Sequence, residues 1–223
     1  MIDALPPGLR AQALTHSSWV EDRARSYERL EFLGDSVLGV SIAAHLFARF
    51  PDRAEGELAR IRAHVVSRES CAVVARNLGL DRDLADRGRE LGGDAALAAE
   101  TIAGSSSVMA EVIEAVIGAS YLEFGAAEVV PAIVEAFAER VAYAADKHVD
   151  HKTVLQEDLA RRGASVTYEL VETTGPDHDR RYTTAALVEG RELGRGSGPS
   201  KKASEQAAAK EALRGMAGGK PPG

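Results

Sequence analysis

Cysteine is nearly absent from this 223-residue chain, where Cys71 stands alone. That excludes an intramolecular disulfide framework and a cysteine-rich zinc site, and it fits a reducing compartment. The six histidines, His16, His45, His64, His148, His151 and His178, are scattered and form no zinc-ligand cluster. The first residues, Met1-Ile2-Asp3-Ala4-Leu5-Pro6-Pro7, lack the basic stretch and apolar core of a secretion signal. No apolar run reads as long enough for a membrane span, so the expectation is a soluble, cytoplasmic protein with no membrane partner. A covalent nucleophile is missing as well: Cys71 sits in an apolar helical segment, and Ser17 and Ser18 lack an evident base. Gly194-Arg195-Gly196-Ser197-Gly198 does not have the G-x-x-x-x-G-K-S/T spacing of a nucleotide-phosphate loop; its glycines read as a strand end and the turn into a helix.

Positive charge is in deficit, with 27 Lys and Arg against 34 Asp and Glu, or −7. Taken whole, that argues against a nucleic-acid partner. The average hides an asymmetry. Residues 1–151 carry 15 basic against 24 acidic side chains, or −9, while residues 152–223 carry 12 against 10, or +2.

The texture changes at the same place. From about Leu9 to Ala145 apolar residues recur at three- and four-residue intervals, which predicts helices near 27–50, 55–78, 100–124 and 126–145 and no strand. Breaks are expected at Phe50-Pro51-Asp52, at Leu78-Gly79-Leu80-Asp81, and from Arg87-Gly88 through Gly92-Gly93-Asp94. Beyond Lys147-His148-Val149-Asp150-His151 the order becomes α-β-β-β-α: a helix over 152–162, strands over Ser165–Thr173, Arg181–Glu189 and Arg191–Gly196, and a helix over Ser200–Arg214. Gly175-Pro176-Asp177 and Glu189-Gly190 mark the hairpin turns. The expected organisation is a mainly α domain over 1–145, a linker over 146–151, an α+β domain over 152–216 and a fraying tail over 217–223.

The run Tyr27-Glu28-Arg29-Leu30-Glu31-Phe32-Leu33-Gly34-Asp35-Ser36-Val37-Leu38 places Glu28, Glu31 and Asp35 on one helical stripe. A solvated acidic face is the ordinary reading of such spacing. Here Leu30, Phe32, Leu33, Val37, Leu38 and Val40 leave little polar surface, and close carboxylates among core residues need a proton or a cation. Val108-Met109-Ala110-Glu111-Val112-Ile113-Glu114-Ala115 repeats the device with Glu111 and Glu114. Packed face to face, the two helices would supply Glu31, Asp35, Glu111 and Glu114, an all-oxygen set suited to Mg²⁺ or Mn²⁺. Such ions turn a water into a nucleophile and stabilise the leaving oxygen of a phosphodiester.

Glu28-Arg29-Leu30-Glu31-Phe32-Leu33-Gly34-Asp35 resembles the signature of ribonuclease III, the double-stranded-RNA endonuclease family. Ala13-Leu14-Thr15-His16-Ser17-Ser18, Glu55-Gly56-Glu57-Leu58 with Arg62-Ala63, and Glu114-Ala115-Val116-Ile117-Gly118-Ala119 with Tyr121-Leu122 are similar to its other motifs. Lys152-Thr153, Leu155-Gln156-Glu157, Gly175-Pro176-Asp177-His178 and Ser200-Lys201-Lys202-Ala203-Ser204-Glu205-Gln206-Ala207-Ala208 resemble a double-stranded-RNA-binding domain. The resemblance implies a helical endonuclease domain that forms a homodimer, Phe32 and Leu33 being candidate interface residues. It implies metal binding by Glu31, Asp35 and Glu114, with Asp35 and Glu114 catalytic, and supporting acids at Glu28 and Glu55. It also implies products with a 5′ phosphate, a 3′ hydroxyl and a short 3′ overhang, and a part in processing ribosomal RNA precursors and other structured transcripts. Glu111 departs from the family's usual Asp by one methylene. Either the helix adjusts and the enzyme cuts, or metal binding weakens and the chain is a non-cleaving dimeric RNA-binding relative.

The second domain would read duplex shape, phosphates and 2′-hydroxyls. Lys201 and Lys202 open its last helix, where the dipole already favours an anion. Gln156 and Glu157 can bond minor-groove hydroxyls, and His178 would reach an adjacent groove.

Overall fold

The structure, a computed structural model, describes residues 2–147, 150–176 and 179–217. His178, named above as an RNA contact, lies outside the described residues, as do residues 148 and 149 of the expected linker and 218–223 of the expected tail. The chain divides into two compact units, Met1–His148 and Val149–Gly223.

In the first unit the described residues form helices: α1 (Pro7–Ala13), α2 (Glu28–Arg49), α3 (Glu55–Val65), α4 (Arg68–Asn77), α5 (Leu80–Leu91), α6 (Gly93–Gly104), α7 (Ser106–Phe124), α8 (Ala126–Ala136) and α9 (Ala138–Lys147), with short 3₁₀ turns over Ser17–Trp19 and Arg23–Arg25. Three of the expected long helices are broken. The segment 55–78 splits because Ser67 turns extended and its side chain accepts from the Ser70 N–H at 3.3 Å. Ser105 does the same for the Val108 N–H at 3.4 Å, and the chain bends by 96° between α6 and α7. A serine before a helix satisfies one of its orphan donors and so can start a new helix without Gly or Pro. Phe137 separates α8 from α9. Conversely Gly88, read as part of a break, is inside α5, where a Cβ would stand 2.8 Å from Ala99 Cβ; the break comes at Gly92, at φ 73°.

α2 and α7 form the centre of this unit. Their apolar faces bury Leu30, Val37, Leu38, Ile42 and Leu46 against Met109, Val112, Ile113, Val116 and Ile117. Contrary to the expectation that no run is long enough, α2 is by length and composition able to cross a membrane, with a mean hydropathy of 1.4. In the fold it is a core helix: Leu38 and Ile42 are fully buried.

The second unit is α10 (His151–Arg161), β1 (Val166–Thr174), β2 (Arg181–Val188), β3 (Arg191–Gly198) and α11 (Lys201–Ala217), with an antiparallel sheet in the order β1-β2-β3. Asp150 caps α10 by accepting from the Thr153 N–H at 3.2 Å. Glu189 (φ 50°) and Gly190 (φ 78°) both have positive φ, the conformation of a type I′ turn whose twist suits a two-residue hairpin. Leu155 and Leu159 of α10 meet Ala186 of β2 and Ala208, Ala209 and Ala212 of α11 in a small core. Gly198 ends β3 ahead of the turn into α11, as expected, while Gly194 and Gly196 lie inside the strand. All three alternate along β3, and a Cβ at each would strike α11 at Ala212, Ala208 or Ala203, so bare backbone is what lets the helix lie on the strand.

Candidate metal centre

The site begins with two glycines. A Cβ on Gly34 of α2 would collide with the Glu114 carbonyl of α7, and one on Gly118 of α7 would collide with the Leu30 carbonyl of α2. The helices therefore cross backbone to backbone, which no other residue permits. Because Glu31 and Asp35 flank Gly34 and Glu114 is one turn before Gly118, the crossing sets the acids of both helices beside one another.

Their electrostatics record that proximity. Burial and then the charges of Asp35, Glu31 and Glu111 push the half-buried Glu114 carboxyl up to about 7, with Arg68 opposing. Burial, Glu111 and Glu28 raise Glu31. Beneath them the Cys71 thiol is pushed up to about 12 by burial and by Glu114 and Asp35, which makes it inert rather than nucleophilic. Burial raises Tyr27 well above its usual range, and its hydroxyl donates to Glu111 Oε2 at 2.7 Å. Ser107 Oγ stands 3.5 Å from Glu111 Oε1 and accepts from Arg68 at 3.4 Å.

The expected four-carboxylate cage is present as a charge cluster rather than a closed set. Among the described residues no three His, Cys, Asp or Glu side chains converge as a coordination shell. Like charges spread apart, and Glu111 is turned toward Tyr27 and Ser107. The donor chemistry still fits a hard divalent ion: four carboxylates, one of them raised to about 7 by burial and by the charges of the other three.

Glu28, expected as a supporting acid, is engaged by Arg23, whose Nε donates to Oε2 at 3.0 Å. Glu55 starts α3 and lines a different depression with Phe47, Arg53 and Leu58. Leu33, a candidate interface residue, packs against the core, whereas Phe32, Val40 and Phe47 of α2 are 79 %, 63 % and 76 % exposed. In the second unit Gln156 and Glu157 are exposed on α10, opposite Leu155 and Leu159, and Lys201 and Lys202 are exposed at the start of α11. A Lys152–Glu205 ion pair ties α10 to α11. Residues not anticipated from sequence are Tyr27 and Arg68, which reach the cluster through tertiary contact, and Ser107, one turn before Glu111 on α7. Gly34 and Gly118 did leave a signal, a glycine inside an apolar helical run.

Two family profiles divide the chain where the fold does. One described as Ribonuclease-III-like matches residues 6–141, and the double-stranded RNA binding motif matches residues 151–216. The pairing defines a protein of the duplex-RNA-processing class. Ribonuclease 3 of Geobacter metallireducens is 43% identical over 212 residues, covering 91% of this chain and 83% of that one. Ribonuclease 3 of Mycobacterium tuberculosis is 40% identical over 220 residues, covering 95% and 88%. The nuclease domain of ribonuclease III from Campylobacter jejuni is 30% identical, covers 60% of this chain and 85% of that one, and superposes with a TM-score of 0.49. The chain belongs to the ribonuclease III family of endoribonucleases.

Proposed function

We propose that this chain cuts double-stranded RNA by hydrolysis with Mg²⁺, Mn²⁺ substituting, held by Glu31, Asp35, Glu111 and Glu114. The observation that carries the reading is the Gly34–Gly118 crossing, which half-buries Glu114 and sets the acids of α2 and α7 beside it, so that burial and then their charges lift it to about 7. A divalent ion supplies, when bound, an activated water and a counter-charge for the leaving oxygen. Asp35 is exposed, and Glu114, half-buried and raised to about 7, would hold the ion as a carboxylate. Arg68 is the cation beside the acids and offers a contact for a phosphate of the scissile strand. Glu28 and Glu55 support the surroundings rather than bind the ion.

Water attacking phosphorus with the 3′ oxygen leaving gives products with a 5′ phosphate and a 3′ hydroxyl, and two such sites acting across one duplex in a homodimer give the short 3′ overhang. The exposed Phe32, Val40 and Phe47 stripe of α2 is the surface for the second copy. Lys201 and Lys202 at the start of the 17-residue α11 bind backbone phosphates, while Gln156 and Glu157 on α10 face the minor groove. Ribosomal RNA precursors and other structured transcripts in the cytoplasm are the substrates this reading assigns. Incubation of duplex RNA with Mg²⁺ and either wild type or Glu114→Gln tests it. Wild type should yield short duplexes ending in 5′ phosphate; equal recovery of intact RNA from both proteins would favour the non-cleaving alternative.

A further inference from the structure

Glu111 is held differently from the other acids of the cluster. Its anchor is Tyr27, a residue whose side chain cannot wander: Tyr27 is fully buried, and its N–H donates to the Thr15 carbonyl at 3.0 Å. The Thr15 hydroxyl is in turn fixed on the Ala11 carbonyl at 2.6 Å. The Tyr27 ring meets the His16 ring edge-on, with centroids 5.7 Å apart. From that fixed ring the hydroxyl donates to Glu111 Oε2 at 2.7 Å, while Ser107, at 3.5 Å from Oε1, adds only a weak restraint. The bond joins residues 84 apart in sequence, the entry of α2 to the first turns of α7.

We propose that Tyr27 is a positioning residue of the metal centre: its hydroxyl occupies one oxygen of Glu111 and orients the other toward the divalent ion. The inference rests on the metal-centre reading above. It also gives the extra methylene of Glu111 a purpose. An aspartate there would hold its carboxylate one carbon nearer the α7 backbone and short of the phenol, so Tyr27 and Glu111 act as a unit. Hydrogen-bond partners that orient a ligating carboxylate commonly govern metal affinity by about 10- to 100-fold.

Calorimetric titration of Mn²⁺ into the full-length chain tests this with wild type, Tyr27→Phe, Glu111→Asp and the double variant, thermal melts confirming that each is folded. Tyr27→Phe keeps the ring and its packing and should weaken Mn²⁺ binding about 10-fold or more. In the Glu111→Asp background the same change should alter affinity by less than about twofold, because the bond is already gone. Ser107→Ala should cost less than Tyr27→Phe; a larger loss would overturn the assignment of the anchor to Tyr27. The proposal is also overturned if Tyr27→Phe binds as tightly as wild type, or if it loses the same factor in both backgrounds. Should wild type itself show no saturable Mn²⁺ binding, the metal-centre reading fails, and this inference fails with it.

Discussion

Adding one methyl group to α2 should have opposite effects at two positions five residues apart. At Gly34 a Cβ would lie 1.7 Å from the Glu114 carbonyl oxygen and 2.9 Å from the Gly118 nitrogen, all of it backbone. Ordinary contact begins near 3.4 Å, so α2 and α7 must separate by about 1.7 Å. No flexible side chain can absorb that. Over-packing of this kind costs about 3 kcal/mol at the upper end of its usual range, and alanine returns about 1 kcal/mol through helix propensity. The net loss is about 2 kcal/mol, or a melting temperature lower by about 4–8 °C for a unit of this size. At Gly39 nothing lies within 4 Å of the same methyl. There only the propensity gain remains, about 0.5–1 kcal/mol, and the melting temperature should rise by about 1–4 °C. Scanning calorimetry of wild type, Gly34→Ala and Gly39→Ala, following the transition of the helical unit, reads both signs. If Gly34→Ala melts at or above wild type, or if the two variants shift alike, the backbone crossing is not what shapes the site.

Further outcomes follow from the same contacts. Glu114 has a folded-state pKa of about 7, above its ordinary value of 4.5, so between those limits the folded chain binds more protons than the unfolded one and its stability falls as pH rises. Melts from pH 4.5 to 7 should therefore decline more in wild type than in Glu114→Gln, and parallel curves would contradict the clustering. Because a cation must displace that proton, Mg²⁺ affinity should strengthen as pH rises through 7, which titration at pH 6 and 8 checks. Lys201→Ala with Lys202→Ala should lower duplex-RNA affinity for all sequences alike and reduce the slope of log affinity against log salt by roughly 1 per lysine, measured by anisotropy. Glu189, at φ 50°, is strained for a non-glycine residue, so Glu189→Gly should stabilise the second unit to urea by up to about 1 kcal/mol.

The acids were readable because spacing reports which residues share a helix face, and carboxylates inside apolar runs are conspicuous. Spacing could not say where each carboxylate turns. Glu28 toward Arg23 and Glu111 toward Tyr27 are decided by partners elsewhere in the fold, one of them 84 residues away. The α-β-β-β-α order of the second unit was legible from its alternation and turn residues, with strand and helix ends shifted by at most three residues. The helix breaks at Ser67 and Ser105 were not, since a serine inside a helix and a serine that caps one look alike until its hydroxyl meets the next N–H. Glycine misled twice in the same way. Gly88 and the Gly194, Gly196 pair read as punctuation, yet each makes room for a neighbour. Leu33 and Phe32 are adjacent in sequence, and only the packing of α2 on α7 decides that Leu33 turns inward and Phe32 outward.

On the proposed mechanism, cutting needs one acid from each crossing helix. Single-turnover cleavage of a labelled RNA duplex at saturating protein and Mg²⁺, with Asp35→Asn and Glu114→Gln compared with wild type, tests it most directly. Each variant should bind the duplex as wild type does and cut it on the order of 100-fold more slowly or worse. A variant that binds normally and cuts within about twofold of wild type would contradict the account.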